Sequence, residues 1–220
     1  MGKDLISTVL KEGMIINTKL SSSNVWLQNI VYAADSHSVS VALLNAYLEN
    51  VIMIGQSIFI KYSSEQTELL FEGEIVKISP EFPSYITINI SSVRELKNSR
   101  VFPRHDVYLA STIKTSDLQK EYFAIIHNVS LVGMAFYSRD HFEPGEKQLE
   151  LSIYLPNKKI IIAKGRITRK IPQNSFIDYG MQYTEMSEES NNILSSFFSS
   201  LEDEKIRLRE EFVNCIKKHL

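Results

Sequence analysis

Short runs of β-branched and aromatic residues, separated by polar turns, dominate the chain from Met14 onward. Such runs, with no helical pattern between them, are typical of antiparallel strands. The pattern predicts strands at residues 14–20, 25–33, 38–44, 57–62, 69–78, 85–93, 108–114, 121–129, 134–137, 149–155, 159–171 and 176–184. The predicted fold is therefore mainly β, with two consecutive antiparallel β-barrel domains. We expect Trp26, the only tryptophan, in the core of the first barrel.

Helical patterns are confined to the two ends of the chain. Leu5, Ile6, Val9 and Leu10 have helical spacing ahead of Gly13, which predicts a short leading helix. At the other end, a C-terminal α-helix is predicted over residues 187–220.

The predicted C-terminal helix has a clear start and an apolar stripe. Ser187 is a good N-cap, and Glu188 and Glu189 suit the positive end of the helix dipole. The stripe contains Ile193, Leu194, Phe197, Phe198 and Leu201, and it continues more thinly through Leu208, Phe212, Ile216 and Leu220. The thinner part suits packing on the chain's own barrels or on a second copy, so the sequence is consistent with a monomer or a homodimer.

Composition and charge exclude several classes of function. Of the 220 residues, 44% are apolar and 23% are charged, which is ordinary for a globular protein. The single Cys215 and the lack of zinc-ligand spacing predict a reducing cytoplasm and no metal. The apolar runs are shorter than the ~20 residues that cross a bilayer, so we expect no membrane insertion. A net charge of -2 argues against DNA binding, which needs a broad basic face.

Positive charge is concentrated between the two predicted barrels. Residues 94–104 carry a net charge of +3, from Arg94, Lys97, Arg100 and Arg104 against Glu95. A guanidinium is planar and permanently charged, so it can grip a phosphate in two places or pair with O6 and N7 of a guanine. Two arginines four residues apart therefore predict a nucleotide site, although a solvated surface pair is the plainer interpretation of such a motif alone.

A second motif offers complementary polar groups. Asn128 and Ser130 lie two residues apart on a predicted strand, and therefore on the same face. Gly133 follows where a turn needs a positive φ or a ligand needs close approach to the backbone. The purely structural interpretation, a polar pair that satisfies a turn, is compatible with ligand binding. No nucleophile motif or glycine-rich phosphate loop is present, so no enzymatic activity and no cofactor are predicted.

Together these residues resemble the PilZ domain, a bacterial receptor module for cyclic di-GMP. Arg100 and Arg104 match its RxxxR motif, and Asn128, Ser130 and Gly133 match its (D/N)xSxxG motif about 25 residues later. Residues 180–183 resemble the closing strand of that domain. The resemblance covers roughly residues 94–186, and the preceding 93 residues resemble in layout the N-terminal barrel of YcgR-type flagellar-brake proteins.

The resemblance implies a domain plan and a set of contacts. Its four segments are a YcgR-like barrel at 1–93, a basic linker at 94–104, a PilZ barrel at 105–186 and a C-terminal helix at 187–220. It implies that Arg100 and Arg104 contact guanine edges and phosphates, and that the second motif completes the cyclic di-GMP site. Additional candidates for the site are Lys97, Ser99, Gly180 and Gln182.

The implied function is that of a receptor without catalytic activity. The ligand would order the basic linker, change the interdomain arrangement and signal to a protein partner, such as a flagellar motor component that regulates motility. Ser99 stands where many family members have a third arginine, which favours one ligand per chain over two. The alternative is a scaffold or adaptor of two barrels that binds no nucleotide, and the complete motifs argue against it.

Overall fold

The structure, a computed structural model, describes residues 5–64, 67–96, 102–115, 118–145 and 148–220. Over these residues the chain forms two closed antiparallel barrels of six strands each. The first barrel contains β1 (Ile15–Leu20), β2 (Leu27–Ala34), β3 (Ser38–Ala42), β4 (Ser57–Ser63), β5 (Glu68–Ser79) and β6 (Tyr85–Leu96). The second contains β7 (His105–Thr115), β8 (Leu118–Val129), β9 (Gly133–Ser138), β10 (Leu149–Tyr154), β11 (Ile160–Pro172) and β12 (Ile177–Met186). With the C-terminal helix described below, the predicted fold class is confirmed.

The first barrel closes in the order β1-β2-β3-β6-β5-β4. Alternate residues of β1 point inward, where Ile16, Thr18 and Leu20 are buried. Phe71 and Ile88 are among the fully buried residues that fill the interior. Strand alternation in the sequence thus becomes a single apolar core inside a closed sheet.

The expectation that Trp26 lies in this core is wrong. Trp26 is only half-buried and directly precedes β2, whose first residue, Leu27, pairs with Thr18 and packs against the core. Successive residues along an extended segment point to opposite faces, so Trp26 faces outward where Leu27 faces inward. Its ring lies instead beneath the ammonium groups of Lys19 and Lys61.

A short helix that the sequence pattern did not predict, α2 (Asn45–Glu49), follows β3. Five residues are too few to show a helical period. The helix places Tyr47 in the core with no exposed surface. The Tyr47 hydroxyl bonds with Thr18 and accepts a hydrogen bond from Asn29 Nδ2 at 3.2 Å, so the buried polar groups satisfy one another.

The second barrel closes in the order β10-β11-β12-β9-β8-β7. Its core includes Ile113, Phe136, Leu151 and Tyr179, all with 0% exposure. The Tyr179 hydroxyl donates to the carbonyl of Asp140 at 3.0 Å, which satisfies the one polar group that this ring brings into the core.

Helices flank the strands at both ends of the chain. The leading helix, α1, spans Leu5–Val9, and the C-terminal helix, α3, spans Glu188–Asn214. The amide of Ser190 donates to Ser187 Oγ at 3.1 Å, so Ser187 is the N-cap of α3. A short 3-10 helix, Ile216–Lys218, follows α3.

The apolar stripe of the tail is used within the chain. Leu194 and Phe197 are buried in the core of the second barrel. Near the other end, Phe212 is buried in a cluster with residues of the first barrel, and its ring stacks on Tyr32 with centroids 5.6 Å apart. Leu220 remains exposed. Whether a second copy also binds stays a prediction.

The chain divides into two compact units. One contains Met1–Ser99 with Glu202–Leu220, and the other contains Arg100–Leu201. Strand β6 extends to Leu96, so residues 94–96 belong to a strand paired with β5, although we assigned them to the linker. The helical tail, predicted as one segment, is shared between the two units.

Candidate functional site

The basic segment leads directly into β7. Arg104 is exposed and precedes His105, which pairs with Val129 at the end of β8. The ring of His105 also stacks on Phe198 of α3, with centroids 4.4 Å apart. The backbone at Arg104 therefore lies beside the end of β8, where Ser130 follows. The other candidates from the basic segment, Lys97, Ser99 and Arg100, lie outside the described residues.

The turn from β8 to β9 is built around Ser130. Its amide donates to the carbonyl of Gly133 at 2.8 Å, and its hydroxyl donates to the same oxygen at 3.1 Å. The amide of Val132 in turn donates to Ser130 Oγ at 3.4 Å. Ser130 is only 2% exposed, so its hydroxyl shapes the turn. Its predicted contact with a ligand stays a prediction.

Gly133 is required by close approach of the backbone. A glycine was expected here either for a positive φ in the turn or for close approach to the backbone. The φ of Gly133 is not in the positive region, so the first reason does not apply. A Cβ at this position would lie 2.3 Å from the carbonyl oxygen of Met181 on β12. The missing side chain lets β12 lie close beside the start of β9, with which it pairs.

Asn128 is half-buried on β8 between two neighbouring strands. It pairs with Asp106 of β7 on one side and with Ala135 of β9 on the other. Its Nδ2 donates to Asp106 Oδ1 at 2.9 Å. This contact joins a neutral amide to a carboxylate, and the carboxylate has further lone pairs that can accept hydrogen bonds from another group.

Of the additional candidates, Gly180 and Gln182 lie on β12. Gln182 pairs with Gly133, and Gly180 pairs with Ala135. The register therefore brings the second motif and these two candidates together at one end of β8, β9 and β12. Gln182 is exposed there.

A cluster of charged and aromatic side chains lies beside Asn128. The register of β8 against β9 shifts between Ile126 and Asn128, which leaves His127 in a bulge. His127 Nε2 lies 3.2 Å from Asp178 Oδ1, and Arg169 Nη2 donates to the two oxygens of Asp178 at 3.0 and 3.2 Å. Asp178 is thus held between a guanidinium and an imidazole.

The aromatic part of this cluster is centred on Tyr137. The His127 ring stacks on Tyr137 with centroids 4.0 Å apart, and Phe176 contacts Tyr137 at 4.7 Å. Burial raises the pKa of the Tyr137 phenol, and the carboxylates of Asp178 and Asp106 raise it further. Asn128 pairs with Ala135, and Asp178 pairs with Tyr137, two residues further along β9, so the Asp106–Asn128 pair and the Asp178 cluster lie on a single polar and aromatic face.

The second barrel, which carries this face, matches a known family of domains. Residues 98–200 match the family described as PilZ domain, which includes both motifs, β7 to β12 and the first part of α3. The second barrel is a PilZ domain. The match covers just under half of the chain, and no curated protein matches the chain.

Several solved structures are similar to the whole chain, although distantly. Inhibitor of motility (MotI/DgrA) from Bacillus subtilis is 15% identical, with 89% of this chain and 99% of that chain covered and a TM-score of 0.44. YcgR from Escherichia coli, in complex with c-di-GMP, is 12% identical, with coverage of 95% and 91% and a TM-score of 0.47. The MrkH–c-di-GMP complex of K. pneumonia is 13% identical, with coverage of 87% and 89% and a TM-score of 0.47.

Metal-binding clusters and membrane-spanning helices are absent from the described residues. Among those residues no group of three or more His, Cys, Asp or Glu side chains is arranged to hold a metal ion. No helix within the described ranges is both long enough and apolar enough to cross a membrane. A groove beside the start of α3, lined in part by Ile160, Glu189 and Ile193, contains none of the predicted site residues.

Several residues of this polar and aromatic face, among them Asp106 and Asp178, were not predicted from the sequence. Asp106 is 22 residues from its partner Asn128, and Asp178 is 51 residues from His127. Only strand register brings such pairs together, and the bulge at His127 is not visible in the hydrophobic pattern. The one available signal was the position of Asp106, two residues after Arg104 and at the start of a predicted barrel.

Proposed function

We propose that this chain is a cyclic di-GMP receptor, that the PilZ domain holds the ligand, and that the protein carries out no catalytic step. The observation that carries the proposal is the position of both motifs within one PilZ domain. Arg104 leads into β7 beside the turn that contains Ser130 and Gly133, and Asn128 lies on the adjacent strand.

The chemistry of these groups suits a guanine dinucleotide. In this proposal Arg100 and Arg104 bind the phosphates and the O6 and N7 acceptors of guanine, for which a planar guanidinium is well matched. The N1–H and N2–H groups of guanine are donors, and the Asp106 carboxylate beside Asn128 is a suitable acceptor for them.

The charges around the site are compatible with a ligand that carries two phosphates. Residues 94–104 carry a net charge of +3. The nearby carboxylate of Asp178 is paired with Arg169, which reduces its repulsion of a phosphate. We propose that phosphate binding depends on the arginines of the basic segment, and that the β-barrel face contacts mainly the bases. Ser130 and Gly133 shape the turn beneath them.

We further propose that the ligand orders the basic segment between the end of β6 at Leu96 and the start of β7 at His105, and thereby changes the interdomain arrangement, because this segment is the direct connection between the two strands. Ordering of a segment by phosphate contacts is a general means of switching. The output is then a contact with a protein partner in the cytoplasm, and the resemblance to YcgR-type proteins suggests a component of the flagellar motor. One ligand per chain is expected because Ser99 replaces the third arginine.

Isothermal titration calorimetry with the full-length chain tests the binding proposal. Cyclic di-GMP should bind with micromolar or tighter affinity, and Arg104→Ala should weaken binding at least about tenfold, since charge-assisted hydrogen bonds contribute roughly 1.5–3 kcal/mol each. Arg139→Ala is the matched control, because Arg139 is an exposed arginine of the same domain outside both motifs. GTP should not bind. Equal affinity in the two variants, or no heat with the unchanged protein, would refute the proposal.

A further inference from the structure

A second cluster of cationic and aromatic groups lies on the first barrel. Lys19 Nζ lies 5.3 Å from the ring centroid of Trp26 and 5.4 Å from that of Phe59. Lys61 Nζ lies 4.7 Å from the same Trp26 ring. One indole is thus shared by two ammonium groups, each within the range of a cation–π contact.

Strand register puts these residues on a single outward face. Lys19 of β1 pairs with Phe59 of β4, and Asn17 pairs with Lys61 of β4 and with Gln28 of β2. Residues two apart on a strand share a face, so the Lys19–Phe59 pair and the row of Gln28, Asn17 and Lys61 lie side by side on the same face. We call this surface the Trp26 face, and its residues are Asn17, Lys19, Trp26, Gln28, Phe59 and Lys61.

The Trp26 face holds two like charges above a buried amide group. Burial lowers the pKa of Lys19, and the neighbouring charge of Lys61 lowers it further. Gln28 Nε2 is buried and has no hydrogen-bond acceptor among the described residues. An anion placed here would reduce the repulsion between the lysines.

We propose that the Trp26 face binds an acidic segment of a partner protein, with a carboxylate between Lys19 and Lys61. The positive charge is confined to this face, because the acidic Glu72 pairs with Phe59 at the edge of the face and the whole chain carries a net charge of -2. A narrow cationic site on an acidic protein suits one or two carboxylates better than a long polyanion such as nucleic acid. The site lies on the first barrel and does not depend on the nucleotide proposal.

Trp26 provides a direct measurement, because it is the only tryptophan of the chain. The probe is a capped peptide of six glutamates, titrated into the full-length protein while Trp26 emission is followed. A peptide of six glutamines is the neutral control. We expect a saturable change in emission with the acidic peptide alone, and an affinity that falls as salt is raised.

Substitutions locate the binding site. Lys19→Gln and Lys61→Gln should each weaken peptide binding about threefold, and the double variant about tenfold, as for partly exposed ion pairs. Lys77→Gln is the matched control, because Lys77 lies 5.1 Å from the ring centroid of Tyr85 on the same barrel but outside the Trp26 face. It should leave the affinity unchanged, and circular dichroism should show all variants folded.

Three results would overturn the proposal. The first is no saturable response to the acidic peptide. The second is equal weakening by Lys77→Gln and by the folded Lys19→Gln/Lys61→Gln double variant. The third is tighter binding of a single-stranded oligonucleotide than of the peptide, which would assign the face to a phosphate polymer instead.

Discussion

Replacing Gly133 with alanine tests the packing at the centre of the candidate site. The added Cβ would lie 2.3 Å from the carbonyl oxygen of Met181 and 3.3 Å from Cα of Gln182. Both are backbone atoms, so β12 must move away from β9. Overpacking costs about 1–3 kcal/mol, and loss of the hydrogen bond from the Tyr183 amide to the Val132 carbonyl adds roughly 1 kcal/mol. The expected loss in free energy of unfolding is therefore about 2–4 kcal/mol.

Gly180→Ala is the matched control, because it adds the same methyl group to the same strand pair. There the nearest atom is Arg169 Cβ at 3.2 Å, so a shift of a few tenths of an ångström is enough to restore ordinary contact, and we expect a loss below about 1 kcal/mol. Urea unfolding followed by circular dichroism measures both variants, and hydrogen exchange at 181–183 reports the strand directly. Equal stability of the two variants would refute the close-approach argument.

Three further predictions concern stability. Asp178→Asn should lower the free energy of unfolding by about 1 kcal/mol, since it weakens the bonds to partly exposed partners, whereas Glu185→Gln in an exposed pair should cost less than ~0.5 kcal/mol. Tyr47→Phe should cost about 1–2 kcal/mol because its hydroxyl satisfies buried groups, and Tyr85→Phe, with an exposed hydroxyl, should cost less than ~0.5 kcal/mol. The amides of residues 37 and 38 lower the pKa of Asp35. The stabilisation by the Asp35 carboxylate is therefore fully present above the carboxylate pKa of the unfolded chain, and it is lost as the pH falls through the lowered pKa of the folded protein. The loss in free energy of unfolding caused by Asp35→Ala, measured by urea unfolding, should therefore shrink from pH 7 to pH 2.

The strands were predictable because their residues alternate between a core and solvent. All twelve described strands overlap predicted ones, and the cap at Ser187 was readable from the residue type and its position. Helix α2 was missed because five residues carry no period. Trp26 was misplaced because hydrophobicity alone does not reveal which face of a strand a residue occupies when it stands at the edge of the run.

The candidate site was less predictable than the fold. The motif identified Asn128 and Ser130 as candidates. It did not predict that Asn128 donates a hydrogen bond to Asp106, or that the Ser130 hydroxyl donates to the Gly133 carbonyl within its own turn. Those facts depend on register between distant strands and on the bulge at His127, which local sequence does not specify. At Gly133 the sequence was compatible with a positive φ or with close approach to the backbone. Only the position of the neighbouring strand β12 shows that close approach is the reason.

Hydrogen–deuterium exchange with and without saturating cyclic di-GMP tests the central claim most directly, because it shows binding and its location together. The account predicts slower exchange in residues 102–106 and 128–134 of the unchanged protein, and no such slowing in Arg104→Ala at the same ligand concentration. Arg139→Ala should behave like the unchanged protein. No protection at these residues, or the same protection in Arg104→Ala, would contradict the claim that the PilZ domain of this chain is the receptor site.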